Sequence, residues 1–215
     1  MAVSNQIERG ALIVFEGCDR SGKSTQCGKL VERLKNTGIK AKLLKFPDRR
    51  TTIGKMINSY LGQTYDLEDH AIHLLFSANR WEARDTMMTL LNQGTTLIVD
   101  RYAYSGAAFT AAKQGFSLEW CKQTDIGLPQ PDTVLYLTLT SEAAAKRGGF
   151  GEERYEKEVF QEKVAKNFQD LKDKHWQVID ADRSIEDLHE EIYHLTQKVI
   201  NQAKYKPIEK LWTEL

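Results

Sequence analysis

The sequence predicts an α/β fold in which a five-stranded parallel sheet is covered by helices on both faces. Strand-like apolar runs alternate with stretches of helical periodicity along the 215 residues, without repeats or low-complexity segments. This alternating order is typical of parallel sheets with crossover helices on both faces. A glycine-rich stretch directly after the first run supports the same class, because ligands in such folds bind at the carboxyl ends of strands.

Five runs are predicted as strands and four stretches as helices. The strand runs are short and apolar, and they occupy 11–16, 41–46, 95–99, 133–139 and 176–180. The helical stretches repeat apolar residues at helical spacing, and they occupy 22–37, 67–93, 156–173 and 185–202. Gly38, Gly94 and the Pro129/Pro131 pair mark element ends. The length favours one domain spanning 1–215.

Composition argues against nucleic-acid and membrane partners. Lys plus Arg and Asp plus Glu both number 30, so no net positive charge attracts nucleic acid or an anionic membrane. Apolar runs such as Ala11–Phe15 are too short to span a bilayer, and Met1–Gly10 lacks the features of a signal peptide. Cys18, Cys27 and Cys121 cannot all pair and lack metal-ligand spacing. We therefore expect a protein of the reducing cytoplasm or nucleus.

The first strand leads into a phosphate-binding loop. Residues 17–25 read Gly-Cys-Asp-Arg-Ser-Gly-Lys-Ser-Thr, which fits the pattern GxxxxGKS. Gly17 and Gly22 let the backbone turn so that N–H groups face phosphate oxygens, and the following helix adds its positive end. Lys23 can reach the outer phosphates, while the Ser24 hydroxyl can ligate the accompanying Mg²⁺. The loop therefore predicts binding of a nucleoside triphosphate with magnesium.

Charged residues follow the second and third predicted strands. The turn at 46–50 contains Arg49 and Arg50, whose planar guanidinium groups could clamp a phosphate, although a solvated basic turn is equally consistent. The third strand leads into Asp100 and Arg101. An acid at this place can hold a metal or a metal-bound water behind a phosphate loop, and otherwise it is often a helix cap. We expect both turns to open into one cleft.

The predicted helix 67–93 carries a candidate base-binding face. Leu74, Leu75 and Ala78 suit a buried face. Phe76 and Arg80 lie four residues apart and therefore share one side of the helix. A ring beside a guanidinium could stack on a base and hydrogen-bond its carbonyl edge. The alternative is a core phenylalanine beside an arginine that extends to solvent.

Together these segments resemble thymidylate kinase, a member of the P-loop nucleoside monophosphate kinase family, over about residues 10–200. The matching segments are 15–25, 46–49, 75–82, 100–102, Ser105-Gly106 with Phe109, 127–132 and 154–156. The resemblance is strongest to eukaryotic cytosolic and nuclear enzymes. It implies a three-layer P-loop NTPase fold with a small lid at about 147–157. It further implies a homodimer that transfers the ATP γ-phosphate to dTMP, forming dTDP in dTTP biosynthesis.

The resemblance also implies, by position, the residues that bind dTMP. Arg49 and Arg101 match residues that grip the dTMP phosphate, Phe76 the ring that stacks on thymine, and Arg80 the group that reaches its O4. Asp19 matches a carboxylate near the sugar 3′-hydroxyl. The remaining matches are Phe46, Leu61, Ser105, Gly106, Phe109, Tyr155 and Gln161.

The implied ATP site joins the phosphate loop to an adenine pocket. Its residues are Arg20, Ser21, Gly22, Lys23, Ser24, Thr25, Arg147, Ala181, Asp182 and Arg183. Mg²⁺ is implied to bind through Ser24 and Asp100. The implied catalytic set is Asp19, Arg20, Lys23, Asp100 and Arg101. One class of the family supplies its transition-state arginine from the loop, as Arg20 would, and the other from the lid, so Arg154 could share this role. Glycines at 148–153 could absorb the backbone changes of lid closure.

Other readings and some features stay open at this stage. A deoxynucleoside kinase, or a kinase for another pyrimidine monophosphate, is the nearest alternative, although Arg49 and Arg101 favour an acceptor that carries a phosphate. A non-catalytic binding protein or a GTP-driven switch is disfavoured, because the sequence contains no Asn-Lys-x-Asp and retains Arg20, Lys23 and Asp100. Cys18 in the loop is either a reactive thiolate or a buried, inert thiol. The tail 204–215 either packs back on the domain or forms an interface, and the helix around 67–80 is a plausible dimer contact.

Overall fold

Five parallel strands form the sheet at the centre of the computed structural model, which describes residues 8–140, 143, 154–155 and 157–213. The strands are β1 (Leu12–Glu16), β2 (Ala41–Lys45), β3 (Thr96–Asp100), β4 (Thr133–Thr138) and β5 (Trp176–Asp180). Their spatial order is β2-β3-β1-β4-β5. Within it, Ile13 of β1 pairs in parallel with Ile98 of β3 and Thr133 of β4. The predicted five-stranded parallel sheet is therefore confirmed, with β1 in its middle.

Helices cover both faces of this sheet. Those described are α1 (Lys23–Asn36), α2 (Thr52–Leu61), α3 (Asp69–Trp81), α4 (Arg84–Asn92), α5 (Ala103–Ala111), α6 (Leu118–Gln123), α7 (Glu158–Leu171) and α8 (Ile185–Ala203). On β1, Leu12 and Val14 enter a core shared with α4, α5 and α7, whereas Ile13 and Phe15 enter a second core shared with α1 and α8. This alternation follows from the two-residue period of a strand. The predicted three-layer architecture is thus confirmed.

The predicted helix 67–93 is wrong as a single element, because it divides into α3 and α4. The chain turns at Glu82 and Ala83, where the Ala83 N–H donates to the Arg80 carbonyl at 3.1 Å. The Glu82 side chain meanwhile accepts hydrogen bonds from Thr51 and Asn79, at 2.7 and 2.6 Å. These contacts attach the turn to the start of α2. Apolar periodicity in the sequence does not reveal such contacts between separate segments.

The expected buried face of α3 is wrong at Leu74, although Leu75 packs, partly buried, against an apolar cluster shared by α2 and α3. Leu74 is 51% exposed, while Leu75 and Ala78 are half-buried. The buried side instead carries polar residues such as His73, Ser77, Asn79 and Arg80, whose side chains are hydrogen-bonded to neighbouring segments. Because hydrogen bonding offsets the cost of burying polar groups, α3 can turn a polar side inward.

The tail packs back on the domain, which confirms one of the two alternatives expected for it. Leu211 exchanges backbone hydrogen bonds with the loop after α6, accepting from the Gly127 N–H at 2.9 Å and donating to the Leu128 carbonyl at 2.8 Å. Its side chain is buried in the core that contains α5 and α7. The Trp212 ring meets Tyr104 edge-on at 5.4 Å. Among the described residues, no helix combines the length and apolar character needed to cross a membrane.

His73 is a fully buried histidine that ties α3 to α5 and α6. Its Nε2 lies 3.0 Å from the Cys121 carbonyl and must donate, so Nδ1 accepts from the Thr110 hydroxyl at 2.8 Å. Burial, with Arg80 nearby, lowers the pKa of His73 from 6.5 to about 4. The neutral ring is therefore the form that fits the fold.

Acidification should consequently destabilise the protein through His73. Because its folded pKa lies below the unfolded value, its contribution is present above pH 6.5 and is lost as pH falls towards 4, by about 3 kcal/mol. Chemical denaturation across this range should show a shallower pH dependence for His73→Gln than for the wild type. The exposed His194 provides the control, since His194→Gln should retain the wild-type slope. Equal slopes for all three proteins would contradict the prediction.

Candidate active site

Loops that follow β1, β2, β3 and β5 meet α3 and α5 in a cleft of about 880 Å³. The sequence-predicted residues that line it are Asp19, Arg20, Gly22, Lys23, Ser24, Thr25, Phe46, Arg49, Leu61, Phe76, Arg80, Asp100, Arg101, Ser105, Gly106, Phe109, Tyr155 and Arg183. Ser21, Gln161 and Ala181 do not line the cleft, Asp182 is exposed, and Arg147 is outside the described residues. The sequence reasoning missed Gln26, Lys45, Pro47, Tyr102, Thr110, Ser184, Ile185 and Leu188.

The loop between β1 and α1 has the backbone that a phosphate cradle needs. Gly17 has φ 144°, and a Cβ there would lie 2.4 Å from the Leu137 carbonyl oxygen, so only glycine fits. Gly22 also lies in the left-handed region, and α1 begins at the next residue, Lys23. The first N–H groups of a helix thus point towards the cleft, where they favour an anion.

Lys23 is buried at the base of this loop. Its Nζ donates to the Cys18 carbonyl at 2.7 Å and to the Ser21 hydroxyl at 3.2 Å. Burial, with Arg101 nearby, lowers the pKa of Lys23 from 10.5 to about 8. An anion entering the loop would favour the charged ammonium.

Ser24 and Asp100 form a pair of oxygen donors beside the loop. The Ser24 hydroxyl donates to Asp100 Oδ2 at 2.5 Å, and the Lys45 ammonium lies 3.9 Å from the same oxygen. Mg²⁺ prefers oxygen ligands and usually takes only one or two from protein, the rest being water and substrate phosphates. The pair therefore fits the predicted magnesium ion.

Arg101 and Asp19 are neighbouring charged residues in the lining of the cleft. The Arg101 guanidinium forms an ion pair with Asp19 and also donates to the Ser105 hydroxyl at 3.0 Å. Gln161 fixes the other Asp19 oxygen, donating to it at 2.8 Å. Burial raises the pKa of Asp19, but Arg101 and Lys23 outweigh this and leave the pKa below 3.8. The carboxylate is therefore ionised at neutral pH.

Glu16 is a further functional candidate that the sequence reasoning missed. Its buried carboxylate accepts hydrogen bonds from the Tyr102 and Ser105 N–H groups, both at 2.9 Å, and from the Ser105 hydroxyl at 2.5 Å. Burial raises the pKa of Glu16, although these hydrogen bonds and Arg101 oppose the rise. The carboxylate holds the start of α5 in place and with it Arg101, whose φ of 65° is left-handed. A glutamate closing an otherwise apolar strand was the available signal.

Phe76 and Arg80 reach the cleft from α3. Phe76 is half-buried, and Arg80 is only 2% exposed. The Arg80 guanidinium is paired with Asp125 and does not extend to solvent. The alternative of an arginine that extends to solvent is therefore wrong, and the base-binding role of this face stays a prediction.

Aromatic side chains form one wall of the cleft. Tyr155 stacks on Phe160 with the ring centroids 5.2 Å apart, and its hydroxyl lies 3.2 Å from that of Tyr60. Phe109 packs against Tyr155 at 5.8 Å and lies under the Arg101 guanidinium, 5.1 Å away.

Arginines outside the centre of the cleft differ in what they contact. Arg49 lines the cleft and donates to Asn58 at 2.9 Å. Arg154 forms an ion pair with Asp66 at 3.0 Å and covers the Tyr60 ring at 4.0 Å, and it does not line the cleft. In this arrangement Arg154 contacts α2 and the turn after it, while Arg20 faces the cleft.

The other end of the cleft is formed by the loop after β5. Arg183 lines it, and its Nε donates to the Asp180 carbonyl at 2.9 Å. Ile185 and Leu188 contribute apolar surface beside it. The fully buried Ala181 donates its N–H to the Thr138 carbonyl at 2.9 Å, which fixes the start of this loop to the sheet.

The structure favours the inert alternative for Cys18. Its Sγ lies 3.8 Å from the Gln161 carbonyl oxygen. Burial raises the pKa of the Cys18 thiol, and the opposing effects of Lys23 and Arg101 are smaller. The protonated thiol, which is a poor nucleophile, is therefore the favoured form at neutral pH.

Comparisons with known proteins agree with this geometry. A family model described as thymidylate kinase matches residues 15–192. Thymidylate kinase from Homo sapiens is 56% identical over 207 residues, covering 95% of this chain and 98% of the relative. The relative from Arabidopsis thaliana is 53% identical over 209 residues, with coverages of 95% and 78%. The solved structure of thymidylate kinase from Candida albicans aligns with a TM-score of 0.85 at 40% identity, covering 94% and 98% of the two chains. This chain belongs to the thymidylate kinase family.

Proposed function

We propose that this protein transfers the γ-phosphate of ATP to dTMP, forming dTDP for dTTP synthesis. The observation that carries the proposal is one cleft whose lining combines the phosphate loop, the two arginines Arg49 and Arg101, and Phe76 and Arg80 of α3. A nucleoside acceptor has no phosphate for Arg49 and Arg101 to bind. The site therefore favours a monophosphate acceptor over a nucleoside.

The donor phosphates are proposed to bind in the loop at the start of α1. Backbone N–H groups and Lys23 would hold the outer phosphates, and Ser24 and Asp100 would hold Mg²⁺. When bound, Mg²⁺ neutralises charge on the phosphate oxygens. Arg20 supplies a further cation for the equatorial oxygens of the transferred group, where charge develops in the transition state.

The acceptor is proposed to bind between α3, α5 and Tyr155. Arg49 and Arg101 bind its phosphate, and Asp19, fixed by Gln161, lies near the sugar. The thymine ring stacks on Phe76, and its O4 accepts a hydrogen bond from Arg80. Binding would exchange the Arg101–Asp19 ion pair for a contact between Arg101 and the phosphate.

The adenine end and the lid complete the proposed domain. Adenine would lie against Arg147 and the backbone of 181–183, beside Arg183 in the cleft lining. The proposed lid at 147–157 lies largely outside the described residues. We assign 1–215 to one kinase domain.

We also place the protein in the cytoplasm or nucleus, consistent with three free cysteines, and cell fractionation would test this placement.

A coupled assay with ATP and four acceptors tests the proposed function. dTMP should be turned over at least about 100-fold more efficiently than dCMP, because the amino group of cytosine leaves a buried donor for a carbonyl unpaired. GMP should also be rejected, because a purine is larger than the thymine ring. Thymidine should not be phosphorylated. Efficient use of thymidine would instead identify a deoxynucleoside kinase, and comparable use of dCMP would identify a kinase for other pyrimidine monophosphates.

We further propose that α3 forms a homodimer contact. Leu74 and Trp81 are 51% and 38% exposed, and the half-buried Leu75 and Ala78 extend this apolar side. The wild type should have a dimer mass by light scattering at micromolar concentration, whereas Leu74→Arg should be largely monomeric. Met56→Arg, at an exposed site on α2, is the control. A monomeric wild type would contradict the proposal.

A further inference from the structure

We propose that Asp125 is a positioning residue for base selection, acting through Arg80. This inference rests on the proposed function, because it concerns how the acceptor base is chosen. Asp125 follows α6 and is completely buried. It does not line the cleft, so any effect on the base must pass through a side chain that does.

The contact between the two residues is a bidentate ion pair. Arg80 Nε donates to Asp125 Oδ1 at 3.0 Å, and Arg80 Nη2 donates to Oδ2 at 2.5 Å. The two side chains are 2% and 0% exposed. Two parallel hydrogen bonds fix the plane of the guanidinium as well as its position.

The remaining edge of Arg80 is the part available to a ligand. Nη1 makes no hydrogen bond to any residue that the structure describes, although the residue is almost entirely buried and lines the cleft. Because this N–H donor has no protein partner and belongs to a residue that lines the cleft, it can donate to a carbonyl oxygen of an incoming base. It would be unsuited to the amino group that cytosine carries at the same place.

The backbone of α5 at Gly106 lies against the Arg80 guanidinium and restricts its movement. A Cβ built at Gly106 would lie 2.6 Å from Arg80 Nη2 and 3.0 Å from Nη1. The guanidinium thus lies against helix backbone and is held at one edge by Asp125. This leaves it little freedom to rotate away from the cleft.

Ser77 adds a weaker support to the same carboxylate. Its hydroxyl lies 2.8 Å from Asp125 Oδ1 and 2.9 Å from the Thr124 carbonyl oxygen. With one proton, it can donate to only one of these acceptors at a time. Removing this hydroxyl should therefore loosen Asp125 without removing its charge.

A second, partly buried ion pair provides a matched control. Arg9 also contacts Asp132 through two hydrogen bonds, at 2.8 and 2.7 Å, with side-chain exposures of 9% and 15%. Neither residue lines the cleft. Asp132→Asn and Asp125→Asn therefore weaken similar ion pairs, only one of which holds a cleft residue.

The test compares kinetics for dTMP and dCMP in these variants at a temperature where each is folded. Asp125→Asn should raise the KM for dTMP on the order of tenfold and reduce the dTMP-to-dCMP preference in kcat/KM by about the same factor, because the asparagine amide faces the guanidinium with a donor. The KM for ATP should stay within about twofold. Ser77→Ala should change the preference in the same direction by about two- to threefold. Asp132→Asn should lower thermal stability and leave the preference unchanged.

Each outcome decides a separate point. If Asp125→Asn loses stability but keeps the wild-type preference, the residue has only a structural role and the inference is overturned. If that variant does not fold, Ser77→Ala decides, and an unchanged preference overturns the inference. A wild type that does not phosphorylate dTMP would overturn the proposed function itself, which the wild-type assay alone reveals.

Discussion

Replacing Arg20 with glycine should lower kcat by about 10³-fold or more, with the KM for ATP changing only a few-fold. The reason is that the charge Arg20 would meet, on the equatorial oxygens of the transferred group, exists mainly in the transition state. Arg20 has a φ of 68°, so glycine adopts its backbone conformation without strain and the loop should keep its shape. Steady-state kinetics and equilibrium ATP binding together measure the two effects.

Two control variants separate the kinetic effect of losing the Arg20 charge from the effect of a changed backbone and from any contribution of Arg154. Gln63→Gly changes an exposed residue with a φ of 57° and should leave kcat unchanged. Arg154→Ala should have a much smaller effect than Arg20→Gly, because Arg154 is engaged with Asp66 and Tyr60. If Arg20→Gly weakened ATP binding as strongly as it lowered kcat/KM, Arg20 would be a ground-state contact. A large effect at Arg154 would show that the two share the role.

Replacing Arg101 with alanine should reduce kcat/KM for dTMP by about 30- to 150-fold, which corresponds to about 2–3 kcal/mol for a lost charged contact. ATP affinity should change far less. The variant should also be less stable, because Asp19 would lose its ion-pair partner while Glu16 and Asp100 remain nearby. Kinetics with each substrate varied in turn, together with thermal unfolding, separate these effects.

Arg84→Ala is the control for Arg101→Ala. Arg84 lies on α4, is partly exposed and pairs with the neighbouring Asp85 at 2.6 Å, away from the cleft lining. It should leave both KM values unchanged. If Arg101→Ala kept dTMP kinetics within a factor of two, the phosphate-binding role of Arg101 would be wrong.

The parts of the fold and site that could be predicted are those determined by a short, continuous stretch of sequence. The phosphate loop, Asp100 and Arg101 each follow an apolar run that is recognisable by itself. Their position together at one edge of the sheet could therefore be predicted. In contrast, α5 reads Ala-Tyr-Ser-Gly-Ala-Ala-Phe-Thr-Ala and is buried on most sides, so it shows no amphipathic period. Its position was therefore not predictable from apolar spacing.

Contacts between distant segments account for what the sequence reasoning missed. Glu16 reaches the start of α5, and Asp125 reaches Arg80 from the loop after α6; each pair is brought together only by the fold. The inward polar side of α3 is another example, because apolar spacing favoured Leu74 while His73 and Ser77 had partners that a helical pattern does not show.

The contact between the tail and the loop after α6 has a consequence for the order in which the protein matures. Leu211 pairs with Gly127 and Leu128, close to Asp125, but it is synthesised only after β4, α7, β5 and α8. In a nascent chain, the loop that carries Asp125 therefore lacks this backbone partner until the tail has been synthesised and docks.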